Sequence, residues 1–174
     1  MLVARELLNL IRVMVEEFRR EGNTAVPFGT IQAQYIAIVC MLRSVGHVLE
    51  KVDCADEPAR IFLRSRWSIW KKEGVFQNFI EPTRNELLKE FKGGLRLKDA
   101  DDVSSVFYAN PSAPGGATAA HLFEPQKLRD KNDRLVLPLF QASIVFWEIC
   151  LKEVEGRLAN GTLSRTGPCN SPNH

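Results

Sequence analysis

The sequence predicts an all-α protein: a four-to-five-helix bundle with a long loop or short β-hairpin inserted before the last helix. Three observations carry this. Apolar residues recur at helical spacing through most of the chain. Glycines and prolines fall between the periodic stretches, where helices end and begin. One segment, 93–131, loses the period and gathers Pro111, Pro114, Gly115, Gly116 and Pro125. The 174 residues, 45% of them hydrophobic, suffice for one domain whose core needs no staples. The expected organisation is a single bundle over 1–161, with the insertion at 93–131, and a disordered tail over 162–174.

Each element has its own signal. Leu7, Leu8, Ile11, Met14, Val15 and Phe18 form a 3.6-residue stripe within 2–21, ended by Gly22 and Asn23. A second helix is expected from about Gly29 to Val52, entered through Pro27. Its half "IQAQYIAIVCML" is apolar nearly all round, which suits a central helix. Pro58 opens a third, "PARIFLRSRWSIWKK", which Gly74 should break. Pro82 places the start of the next near Ile80 or Glu81, and "KGG" at 92–94 ends it. "VSSVFYA" and "ATAAHLF" read either as two strands flanking "NPSAPGG" or as parts of a disordered loop. The last helix should cover about 132–160, with Asp133 able to cap it and Gly161 ending it.

Composition excludes little but points inward. A net charge of +2 gives no case by itself for nucleic-acid or membrane binding. Cys40, Cys54, Cys150 and Cys169, with His47, His121 and His174, match no metal spacing, and no pattern calls for a cofactor. Cysteines in apolar helices fit a reducing compartment. Charges at Arg5, Glu6 and Arg12 break any signal-peptide core, and "YIAIVCML" is too short to span a bilayer. The expectation is a cytoplasmic protein with no membrane partner.

The stretch "FIEPTRNELLKEF", 79–91, holds the sharpest functional question. On a helical wheel with Phe79 at zero, Ile80, Leu87, Leu88 and Phe91 fall between roughly 80° and 180°. Arg84 falls at roughly 140°, inside that face, while Asn85, Glu86 and Lys89 fall opposite. A guanidinium on an apolar face needs a partner. Glu16, Glu17, Glu50 or a helix-end carbonyl would serve; otherwise Arg84 faces a cleft or an interface and meets a phosphate.

The same stretch resembles the signature helix of HEPN-type domains, all-helical bundles whose active members carry R-x(4–6)-H, often with Asn, Asp or His after the Arg. Arg84-Asn85 matches the start of that motif. The histidine is missing, with Lys89 and Glu90 in its place. "LRSVGHVLEKVD" and the Trp-rich helix extend the resemblance over about 36–92, towards an uncharacterised bacterial branch. The resemblance implies a HEPN-like bundle, a homodimer, and a link to toxin–antitoxin or defence systems. It allows either a metal-independent endoribonuclease or a non-catalytic partner.

Two further constellations bear on the choice. Arg43, His47 and Glu50 share one face of the second helix at i, i+4, i+7. They form either a relocated site, with His47 as acid–base and Arg43 on phosphate, or an ordinary ion-pair ladder. Arg60, Arg64, Arg66, Lys71 and Lys72 interleave with Trp67 and Trp70, either as a single-stranded RNA surface or as an amphipathic helix with Phe62, Ile69 and Trp70 in the core. The leading expectation is a non-catalytic or degenerate HEPN-like module binding RNA, a nucleotide or a cognate protein through Arg43, Asn85, Lys89, Arg60, Arg64 and Arg66. The alternatives are a metal-independent endoribonuclease using Arg84 and His47, and a purely structural oligomerisation module.

Overall fold

A computed structural model describes residues 1–20, 28–90, 95 and 127–160, and the backbone course of 103–109 and 117–123. Five α-helices make the all-α bundle: α1 (Val3–Arg20), α2 (Phe28–Val48), α3 (Glu57–Trp70), α4 (Glu81–Asn85) and α5 (Val136–Ala159). Three single π-helical turns interrupt the α-geometry at Leu49–Asp53, Phe76–Ile80 and Glu86–Glu90. The expected strands are present: β1 (Val103–Ala109) and β2 (Ala117–Phe123) pair antiparallel, from Val103 opposite Phe123 to Ala109 opposite Ala117. The tail 162–174 lies outside the described residues.

α1 buries Ala4, Leu8, Ile11, Val15 and Phe18, the stripe its period predicts, against α2 and α5. α2 is the central helix, as its all-round apolar half required, and contacts α1, α4 and α5. The core between them is aromatic. Phe140 packs against Phe18, Tyr35 and Phe79 at 5.6–6.2 Å. Trp67, Trp147, Phe76 and Phe146 form a second cluster, with Trp67 stacked on Trp147 at 6.0 Å. Gly46 makes room for that stack. A Cβ there would lie 2.3 Å from Trp67 Cη2 and 2.9 Å from Trp147 Cη2.

Polar groups fix the helix ends. The expected helix over Gly29–Val52 stops being α-helical at Val48, and the following π-turn presents Asp53 to the start of α1. Asp53 accepts hydrogen bonds from the Val3 and Ala4 amides, each at 2.8 Å. A helix N-terminus is thus capped from 49 residues away. Asp56 caps α3 through the Ala59 amide at 3.2 Å. α3 ends at Trp70, and Gly74 is already helical. Gly74 therefore opens the next helical stretch rather than breaking the one before.

Asp133 does not cap α5, whose N-cap is Leu135 with no side-chain bond. It sits instead at φ 61° in the turn leading to α5. Asp130, 1% exposed, organises that turn. It accepts from the Asn132 and Arg134 amides at 2.9 Å and from the Arg134 guanidinium at 2.6 and 2.9 Å. Arg134 also donates to the Asn78 carbonyl at 3.0 Å and lies over Phe79. The turn thereby pins the π-turn ahead of α4.

The tight fit at Gly46 generates one expectation. Gly46→Ala must displace buried indole rings, which have no free end to yield, and should cost about 1–3 kcal/mol. A denaturant midpoint unchanged from the native protein would contradict the packing described. Asp53→Ala should cost about 1 kcal/mol through the lost cap, and a thermal melt checks it.

Candidate functional site

The candidate site lies where α2 meets the stretch 76–90. That stretch is continuous helix, but only Glu81–Asn85 is α. Pro82 stands in the first turn of α4, where its missing N–H is tolerated. Each π-turn holds an extra residue in its hydrogen-bonded ring and delays the helical phase by about one residue. The wheel drawn through 79–91 therefore holds for part of the stretch. Phe79, Ile80, Thr83 and Leu87 are buried as expected, but Leu88 is 54% exposed. Phe91 lies outside the described residues. Arg84 is half-buried rather than inside the core.

No carboxylate pairs with Arg84 among the described residues. Its Nη1 donates to Asn85 Oδ1 at 3.0 Å. The carboxylates expected to meet it are engaged elsewhere or exposed: Glu16 pairs with Arg19 and Arg20, Glu50 lies 3.6 Å from Lys51, and Glu17 is exposed. Thr83, not Arg84, is the fully buried polar residue of the segment.

Arg43 of α2 approaches from the other side. Its guanidinium lies over the rings of Trp67 and Phe76, at 5.6 and 5.5 Å from their centroids. Its side chain is 15% exposed, and Glu81 is 3.7 Å away, too far for a hydrogen bond. The buried Nη1 has no hydrogen-bond partner among the described residues. Burial lowers the Arg43 pKa, with Arg84 adding to the effect and Glu81 and Glu50 opposing it. Arg43 and Arg84 are thus close enough to feel each other.

His47 is exposed one turn further along α2. Its pKa is lowered, first by burial, then by Arg43, with Arg84 and Lys51 adding and Glu50 opposing. The imidazole is therefore neutral near pH 7, beside two permanent cations. The fold gathers Arg43, His47 and Arg84 into one charged neighbourhood, with Asn85 attached through Arg84. A neutral imidazole can move a proton, and two guanidiniums can hold a phosphate or stabilise charge on it.

The basic α3 helix divides. Arg60 and Arg64 are exposed and line a small pocket with Gly46, Glu50, Leu63 and Trp67. Lys71 lies over the Trp67 ring at 5.7 Å. Arg66 belongs to another face, with Nε 2.6 Å from Glu153 on α5. Four basic side chains at i, i+4 and i+7 spacing cannot all share one face, and Arg66 is the odd one out. Ile69, expected in the core, is 47% exposed on the Arg66 side. Lys89 is exposed on the second π-turn.

Glu81, Trp67 and Gly46 complete the neighbourhood, and the sequence reading did not assign them to it. One signal was available. A glycine inside a helix, between Arg43 and His47, calls for a packing reason. Among the described residues, no group of three or more His, Cys, Asp or Glu side chains is placed to hold a metal ion. No helix among them is long and apolar enough to cross a membrane.

No family model matches the chain, and comparisons with curated proteins and with solved structures give no match. The site stands on its own geometry.

Removing either positive neighbour makes protonation of His47 easier. In an NMR titration, native His47 should titrate below the ordinary imidazole value. Arg43→Gln and Arg84→Gln should each move it upward, the first more than the second. A titration unchanged in both variants would place His47 apart from the two arginines.

Proposed function

We propose that the chain is a non-catalytic, HEPN-like RNA-binding module that holds backbone phosphate at Arg43, His47 and Arg84. One observation carries the reading: two neighbouring arginines that protein carboxylates do not neutralise. Arg84 meets only Asn85 among the described residues, and Arg43 has a free donor and a distant carboxylate. A purely structural arginine would have its donors satisfied internally. A phosphate oxygen suits such donors, because a charge-assisted bond there is stronger than one to water. Arg60, Arg64 and Lys71, beside Trp67, extend positive charge along α3 for a single strand.

A second reading has its own support. The neutral state of His47 beside Arg84 is what a metal-independent endoribonuclease asks of its base and its phosphate ligand. His47 would take the 2′-hydroxyl proton while the arginines stabilise the phosphorane. Lys89, exposed and away from the pair, has no part in that chemistry.

Binding of a fluorescent single-stranded RNA separates these readings. Each of Arg43→Ala and Arg84→Ala should weaken binding of all sequences and reduce the slope of log affinity against log salt by about 1. Arg84→Ala should change the melting temperature little. An unaffected affinity with a large loss of stability would return the arginine to a structural role. Cleavage of the RNA without added metal, abolished by His47→Ala, would replace the binding reading with the nuclease.

A further inference from the structure

The pocket beside the arginines raises a question that the phosphate reading leaves open: whether the site distinguishes one base from another. The pocket lies between α2 and α3 and is lined by Gly46, Glu50, Arg60, Leu63, Arg64 and Trp67. It is shallow, with ≈ 300 Å³ of empty space counted to the open solvent. Two of its lining residues, Gly46 and Glu50, flank His47 on α2. Its Trp67 is the ring that carries Arg43. The pocket and the phosphate donors therefore share a wall, within the span of one nucleotide.

The lining has three chemical parts. Leu63 and the edge of Trp67 are apolar, and Gly46 leaves the floor free of side chain. Arg60 and Arg64 bring positive charge to the rim. Glu50 is the one carboxylate, 43% exposed and held only loosely by Lys51 at 3.6 Å. A flat, partly apolar group with hydrogen-bond donors on one edge meets all three parts. Nucleobases fit that description, and single-stranded RNA offers them unpaired. A carboxylate accepts two parallel donors best, as it does from arginine. Guanine alone among the four bases presents adjacent N1–H and N2–H donors on its Watson–Crick edge. Adenine and cytosine offer a single amine there, and uracil a single imide N–H.

We propose that this pocket is a guanine subsite in which Glu50 accepts from N1–H and N2–H of an unpaired guanine whose phosphate lies on Arg43 and Arg84. This rests on the RNA-binding reading of the arginines and adds a base preference to it. Arg60 and Arg64 then meet the neighbouring phosphate and contribute affinity without selectivity.

Short oligouridylates carrying one central guanine, inosine or adenine test it by fluorescence anisotropy. Inosine keeps N1–H and lacks the N2 amine, so it removes one of the two donors. The guanine oligomer should bind about tenfold tighter than the inosine one, as a lost partner of a bidentate pair implies. Glu50→Gln should erase the preference while leaving the salt dependence unchanged. Equal binding of guanine and inosine oligomers by the native protein overturns the subsite and leaves phosphate binding standing. A preference that survives Glu50→Gln overturns the role of Glu50. No binding of any oligomer removes the RNA reading and the subsite together.

Discussion

The contact between Trp67 and Trp147 is the constraint on which the rest depends. It joins α3 to α5 across Gly46 of α2, so three helices meet at two stacked rings. Phe76 closes the cluster edge-on, at 5.5 Å from Trp67 and 6.2 Å from Trp147. Edge-to-face and offset contacts of this kind add to the area they bury, by about 0.5–1.5 kcal/mol per pair. The outer faces of two of these rings then carry Arg43. The floor of the site is thus the last layer of the core. A guanidinium laid on packed aromatics has few rotamers left to lose when it meets an anion.

The way the chain treats its other cations makes this neighbourhood stand out. Arg5 and Arg12 of α1 clamp Glu148 and Glu155 of α5 at 2.5–2.8 Å. Arg134 spends its guanidinium on buried Asp130 and a carbonyl. Lys131 pairs with Glu86. Each of these ties one element to another. Arg43 and Arg84 lie close together without comparable carboxylates, and their mutual repulsion is left in place. Stability alone gives no reason to keep two like charges together, whereas an anionic ligand does.

Much of the fold was legible because its signals are periodic. The α1 stripe, the all-round apolar half of α2 and the two strands follow from spacing and composition. Arg84 on an apolar face, and Arg43 with His47 on one face of α2, were also legible. What was hidden depends on distance in space. Asp53 reaching α1, Asp130 gripping Arg134, and Glu81 beside Arg43 are long-range or irregular contacts with no period. The π-turns were hidden as well, and they explain why Leu88 is exposed when an ideal wheel buries it. Arg66 was misgrouped because composition counts charges and not directions. The meeting of His47 with Arg84 needed the crossing of α2 and α4, which no local pattern encodes.

The π-turns on either side of α4 have a consequence for how such a chain changes over generations. A π-turn is an α-helix that has absorbed one surplus residue without shifting what lies beyond the ring. Deleting a single residue from Phe76–Ile80 would restore α-geometry and turn everything after it by about 100°. Arg84 would swing away from Arg43 while the apolar pattern of the segment stayed helical. Lineages related to this chain can therefore gain or lose the arginine cluster by a one-residue insertion or deletion, with every side chain of the cluster still spelled out in the sequence.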